Sequence, residues 1–181
     1  SKASERSLSK LSEYIAKAKT FKDSDPMSPE TKRALQLLKL GVTLPPPNDP
    51  KQLAELTQLA TKLDGMYGSG KYCTDPKNDK TCKDIGQISA ILADTANSTY
   101  EQQLDAWNGW HTISKPMREP YQRFVELSNI GAKDLGFANT GELWRGGYDM
   151  PAADFQAETD RLWGQVEPLY KQLQCYTKNK L

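Results

Sequence analysis

One histidine, His111, occurs in the 181 residues of this chain. That scarcity excludes a two-histidine metal motif within it, because such a motif needs paired imidazoles on one helix face. No apolar run approaches the ~18 residues of a membrane span, so no transmembrane segment is expected. An excess of one charge is lacking too: 24 basic residues stand against 23 acidic ones, a net charge of +1, mixed along the chain. Without a basic stripe interleaved with aromatics, neither nucleic acid nor an anionic membrane is expected as a partner. There is no Gly-rich phosphate loop and no fixed repeat period. The opening from Ser1 is polar and helical in its spacing, not a charged stretch followed by an apolar one, so no signal peptide is expected there. The length suits one sizeable domain, residues 1–181.

What is present is helical periodicity. Leu8, Leu11, Ile15 and Ala18 recur at helical spacing, with Phe21 closing the stripe. Ser28-Pro29-Glu30 reads as an N-cap followed by proline at the first helical position, opening a helix through Leu37, Leu38 and Leu40 to Gly41. Pro45-Pro46-Pro47 forbids helix and gives a stiff connector, after which Asp49-Pro50 restarts the pattern with Leu53, Leu56, Ala60 and Leu63. Asp84 caps a short helix carrying Ile85, Ile88 and Leu92, and Ser98 with Glu101 reads as a capping box for a helix presenting Leu104, Trp107 and His111 on one stripe. Pro116 to Leu135 continues with Met117, Tyr121, Phe124 and Leu127, ending near Gly136. Asn139 to Glu142 caps a short helix through Trp144. A last long helix, opened by Asp149-Met150-Pro151, is expected to bury Phe155, Leu162, Val166, Leu169 and Leu173, with a kink at Pro168. No segment alternates in the manner of a strand. The expected fold class is all-α, an array of about eight helices with antiparallel neighbours.

Cys73 and Cys82 enclose eight residues rich in Asp, Lys, Asn, Pro and Thr. Core packing does not explain cysteines in so polar a loop. A disulfide closing it is the preferred reading, which favours an exported location, periplasmic or extracellular. A metal site lacks the second Cys or His pair needed for four ligands. Cys175, placed on the apolar side of the last helix, reads as a buried free thiol.

Trp107-Asn-Gly-Trp-His111 is the sharpest local motif. Glycine inside a helix costs about 1 kcal/mol against alanine, so Gly109 marks a close backbone approach, expected between helices, with two large aromatics filling the crossing. His111 then reads as a ring in a polar contact at the helix end. Arg145, after Trp144 and before Gly146-Gly147, reads on its own as a surface ion-pair residue. Acid pairs such as Glu158 with Asp160, or Asp134 with Glu126, read as solvated helix faces. Asn97-Ser-Thr99 fits the pattern for N-glycosylation, which has meaning only in a eukaryotic secretory pathway.

Four segments together resemble one known family: Lys62-Leu-Asp-Gly-Met-Tyr67, Cys73 through Cys82, Trp107-Asn-Gly-Trp-His111, and Thr140-Gly-Glu-Leu-Trp-Arg145. They are similar to the N-terminal part of the catalytic domain of angiotensin-converting enzyme, in its bacterial peptidyl-dipeptidase form. The resemblance runs from about Lys32 to the C-terminus. It is especially close at Trp110 to Ser114, Gly147 to Pro151 and Glu158 to Val166. It implies a two-lobed helical enzyme with a deep cleft that removes dipeptides from peptide C-termini by zinc-activated water attack. Zinc is implied in the parent enzyme, with ligands outside this chain. Arg145 matches the family arginine that helps bind an activating chloride, although Trp144-Arg-Gly-Gly-Tyr148 departs from the usual Trp-Arg-Ser-Trp-Tyr. Pro120-Tyr-Gln-Arg-Phe124 matches a stretch bordering the cleft that usually reads Tyr-Glu-Asp-Phe, so Gln122 and Arg123 replace two acids in an implied cleft wall.

The expectation is therefore a helical part of a peptidase catalytic domain, supplying cleft wall and lid and inactive alone. Its partners would be a peptide substrate and the rest of the same domain. The face meeting that remainder is expected to expose apolar residues. The competing expectation is a noncatalytic helical module that binds a peptide or protein through its concave face.

Overall fold

Capping chemistry fixes where most of these helices begin. The computed structural model describes residues 2–18, 20–22 and 26–180. Among them are eight α-helices and one minimal hairpin: α1 (Lys2–Ala18), α2 (Pro29–Leu40), α3 (Pro50–Gly68), β1 (Tyr72–Cys73), β2 (Cys82–Lys83), α4 (Ile85–Ala93), α5 (Tyr100–His111), α6 (Arg118–Asp134), α7 (Thr140–Arg145) and α8 (Ala152–Lys180). Ser28 caps α2 and Asp49 caps α3, each followed by proline at the first helical position, where the missing N–H costs nothing. Asp84 and Gln87 form a full capping box on α4. On α5 the box is Thr99 with Gln102, one residue beyond the expected Ser98 and Glu101. Both pairs fit the same pattern, and only backbone placement chooses between them.

α6 ends in a Schellman arrangement. Gly136, at φ 93°, takes the left-handed conformation that a side chain would strain, while Phe137 N–H donates to Ala132 O and Gly136 N–H to Lys133 O.

Two apolar clusters hold the array. In the first, α3 packs along α6, where Leu56, Leu63, Leu127 and Ala132 are buried, and Leu143 is buried on α7, which meets α6. Full burial of a leucine contributes roughly 1.5–3 kcal/mol. The triple-proline connector is part of this core: Pro45 and Pro47 are fully buried, and Gly131 of α6 lies so close that a Cβ there would sit 2.0 Å from Pro45 O. The second cluster joins Ile88, Ala106 and Trp110, with Tyr72, Ile91, Leu92 and Ile113 packed against it. At the N-terminal end, Ile15 and Ala18 are buried as expected, whereas Phe21 is exposed.

Several expectations are corrected here. A strand pair exists, though only two residues long on each side, with Cys73 directly opposite Cys82 and a disulfide joining them. In the chain-entropy picture a loop this short gains about 2.5–3 kcal/mol from its crosslink. Gly109 approaches this hairpin and not another helix: a Cβ there would lie 2.3 Å from the Tyr72 ring. Only one of the two flanking aromatics fills a core, since Trp110 is buried and Trp107 is 55% exposed.

α8 differs most from expectation. None of its 29 residues is buried, and Leu162, Val166, Leu169 and Leu173 all face solvent. Cys175 is exposed as well, lying on the polar side of the helix with Asn179 Nδ2 3.6 Å from its sulfur. The helix runs from Ala152 to Lys180 without interruption through Pro168. The donor that proline lacks falls opposite the carbonyl of Gly164, one turn earlier.

Candidate functional site

α7 is the short helix on which the Trp144-Arg145 pair is mounted, and it is held from several sides. Asn139 caps it by accepting from Glu142 N–H, and Asn129 of α6 accepts from Thr140 N–H at 3.0 Å. Trp144 Nε1–H donates to Thr43 O at 2.9 Å, tying α7 to the segment before the proline connector, while Leu143 is buried beneath. Arg145 folds back along its own helix, so that a Cβ on Gly141 would touch its Nη1 at 3.4 Å. Its Nε is buried with no hydrogen-bond partner among the described residues, and so is Thr140 Oγ1. Buried donors are nearly always satisfied, so the unpartnered guanidinium N–H of Arg145 calls for an acceptor. No carboxylate within ion-pair distance of Arg145 is found among the described residues.

α6 carries the two implied cleft-wall residues, and their environments differ. Gln122 is exposed and lines an open depression of about 670 Å³ with Ser114, Lys115, Met117, Arg118 and Tyr121. Arg123 instead forms a fork with Glu55 of α3, Nε to Oε1 at 2.8 Å and Nη2 to Oε2 at 2.9 Å, and reaches Glu126 at 3.1 Å. These hydrogen bonds hold the Glu55 carboxyl below its usual range and push the Arg123 guanidinium higher. Arg123 thus ties α3 to α6, a role that its position in sequence does not announce.

His111 ends α5 on the solvent side. Its Nδ1 lies 2.6 Å from Trp107 O, and because a carbonyl only accepts, the ring proton sits on Nδ1. The Trp107 ring lies against it, tilted by 46°, with 4.6 Å between ring centroids. The stripe of Leu104, Trp107 and His111 faces outward, and the core side of α5 is Ala106, Gly109 and Trp110.

Sequence reasoning passed over Tyr72. Its ring seats on Gly109, and its hydroxyl donates to Asp105 Oδ1 at 2.7 Å, so the disulfide hairpin pins α5 through one side chain. That bond and partial burial raise the Tyr72 phenol. The hint was the mid-helix glycine, which demanded a neighbour without naming it. Tyr72 and Asp105 also border a cavity of about 390 Å³ of mixed lining, with Asp94, Asn97 and Gln102 on its polar side and Ile88 and Ile91 on its apolar side.

The described residues do not fit a zinc centre: no three His, Cys, Asp or Glu side chains converge among them. Nor is any described helix long and apolar enough to cross a membrane.

Comparison with known proteins matches these features to one group. A family profile described as angiotensin-converting enzyme matches residues 1–181. The angiotensin-converting enzyme of Rattus norvegicus is 36% identical over 142 residues, covering 77% of this chain and 10% of the relative. That of Oryctolagus cuniculus is 33% identical over 156 residues, 84% of this chain and 11% of the relative. That of Theromyzon tessulatum is 32% identical over 130 residues, 70% of this chain and 20% of the relative. The chain therefore spans about a tenth of the length of the mammalian relatives it matches. With the profile running through the hairpin, α5, and the Trp144-Arg145 helix alike, this chain belongs to the angiotensin-converting enzyme family.

Proposed function

We propose that this chain is the N-terminal helical part of a zinc-dependent peptidyl-dipeptidase, forming wall and lid of a substrate cleft and inactive by itself. The observation that carries the reading is the family match over residues 1–181. Zinc would supply water activation and carbonyl polarisation in the whole enzyme, from ligands outside this chain. This chain's own contribution is steric and electrostatic. α6, braced against α3 by the Arg123–Glu55 fork, offers Gln122 and its neighbours to an extended peptide. Gln122 in place of an acid of the family stretch removes negative charge from that depression, which shifts preference away from basic substrate side chains, while Arg123 is spent on Glu55 and Glu126.

On α7, the buried and unpartnered Nε of Arg145 supports a chloride contact at that position, completed by residues outside this chain. The disulfide supports an exported protein. The wording at Gly147 to Pro151 supports a bacterial member.

The test is to express the whole open reading frame that contains this chain and to measure release of C-terminal dipeptides from a blocked peptide. The expected result is release that a chelator abolishes and added zinc restores, with none from residues 1–181 alone. A frame without a His-Glu-x-x-His helix, or release indifferent to chelator, would overturn the reading. Replacing Arg145 by glutamine is expected to remove any stimulation by chloride, and unchanged stimulation would remove Arg145 from that site.

A further inference from the structure

Between the disulfide hairpin, α4 and α5 lies a cavity of about 390 Å³ that the proposed peptidase chemistry does not use. Three walls build it, each through its own periodicity. Ile88, Ile91 and Asp94 follow one another at intervals of three along α4 and its C-cap, and α5 contributes Gln102, Asp105 and Ala106 from one face. On the hairpin, Tyr72 stands directly opposite Lys83, and residues so paired in an antiparallel ladder project from the same side. The Tyr72 ring seats on Gly109, so that side is turned to α5, and Lys83 lines the cavity with it.

The walls differ in chemistry. Aliphatic surface comes from Ile88 and Ala106, both buried, and from half-buried Ile91. Charges of opposite sign face the same space: the carboxylates of Asp94 and Asp105 from the helices, and the ammonium of half-buried Lys83 from the hairpin. None of the three has an ion-pair partner among the described residues. The carboxylates are nevertheless held in place. Asn97 donates to Asp94 Oδ1 from its backbone N–H and from Nδ2, each at 3.0 Å, and the Tyr72 hydroxyl occupies Oδ1 of Asp105. Oδ2 of Asp105 is left without a hydrogen-bond partner among the described residues. Groups fixed beforehand lose little freedom when a ligand arrives.

We propose that this cavity binds a small aliphatic zwitterion, an α-amino acid or a dipeptide, with its ammonium on Asp105, its carboxylate on Lys83 and its side chain against Ile88 and Ile91. An amine alone would leave Lys83 unmatched, and an anion alone would face two carboxylates. The volume lies near the lower end of the ~300–1,000 Å³ of ligand pockets, which suits a ligand of that size and not a longer peptide. The site shares no residue with the depression at Gln122 or with α7, and binding there does not depend on the peptidase reading.

The test uses the whole protein encoded by the reading frame that contains this chain. Amide hydrogen exchange, which reports segment by segment, is followed while the dipeptide Ala-Leu is titrated through the millimolar range expected of so small a ligand. The expected result is protection of residues 72–106. Acetylating the amine of the probe or amidating its carboxylate should raise the concentration needed by about tenfold or more, and so should Asp105→Asn and Lys83→Met in the protein. Asparagine keeps an acceptor for the Tyr72 hydroxyl and methionine keeps an apolar stem, so the thermal midpoint should stay the same. Lys80→Met, on the same hairpin but outside the cavity, should leave the protection unchanged. Leucine binding more tightly than Ala-Leu would assign the cavity to amino acids, and weaker binding would assign it to dipeptides. Absence of protection in this segment, equal protection by the capped probes, or indifference to both cavity substitutions would overturn the proposal. The capped probes need no variant, so the test holds even where a substitution disturbs folding.

Discussion

α6 and α8 are both amphipathic helices with a leucine-bearing face, yet α6 buries Leu127, Ser128, Gly131 and Ala132 within 17 residues and α8 buries nothing in 29. The difference does not lie in local sequence. α6 meets α3 and the proline connector, while α8 meets α7 and, through Phe155, the ring of Tyr148. Periodicity states that a face is meant to be covered, and the identity of the cover is tertiary information. A pair of matched substitutions makes that difference measurable. Leu127→Ala removes a side chain with no exposure and is expected to cost about 2–5 kcal/mol in urea denaturation. Leu169→Ala removes one that is 68% exposed and is expected to change stability by less than about 0.5 kcal/mol. Equal losses would show that α8 is packed in solution and would break the contrast.

The same logic explains which features were legible in the chain. Caps at Ser28, Asp49, Asp84 and Asn139 were readable because they depend on a side chain and the backbone three residues away. Thr99 was displaced by one position because Ser98 offers the same hydroxyl. The disulfide was readable from two cysteines stranded in a polar loop. What could not be read were contacts between distant segments. Gly109 announced a close approach but not Tyr72 as its source, and nothing near Arg123 named Glu55, 68 residues away. The burial of the three prolines is not legible in the sequence, because a polyproline connector is normally a surface feature. On α8 the leucine stripe is legible in the sequence, whereas its exposure and the polar-side position of Cys175 are not.

Two glycines sharpen the comparison at smaller energies. At Gly131 a methyl group would meet Pro45 backbone at 2.0 Å, and neither the helix nor the rigid connector can move aside without disturbing the core. Gly131→Ala is therefore expected to destabilise by about 1–3 kcal/mol despite alanine's better helix propensity. Gly164 has nothing within 4 Å of its would-be Cβ, so Gly164→Ala is expected to stabilise α8 by at most about 1 kcal/mol, read as raised helicity and delayed thermal fraying. The opposite signs are the diagnostic. A destabilising Gly164→Ala would mean that a neighbour approaches α8 there.

The smallest effect concerns charge. Glu55 and Glu158 are both held below the usual carboxylate range by an arginine, but Arg123 joins two helices whereas Arg161 lies three residues along the same helix. Both pairs are well exposed, so each contributes little and is screened by salt. A carboxyl whose folded pKa is lowered contributes stability that is complete above its unfolded value, near ~4.3, and is lost as pH falls through the folded value. Wild type should therefore exceed Glu55→Gln in urea midpoint between about pH 5 and 8 and converge with it in stronger acid. Glu158→Gln should alter α8 helicity over the same range while leaving the midpoint of the α3–α6 core unmoved. A Glu55→Gln deficit that stays constant down to pH 2.5 would show that its contact with Arg123 stabilises by packing and not by charge.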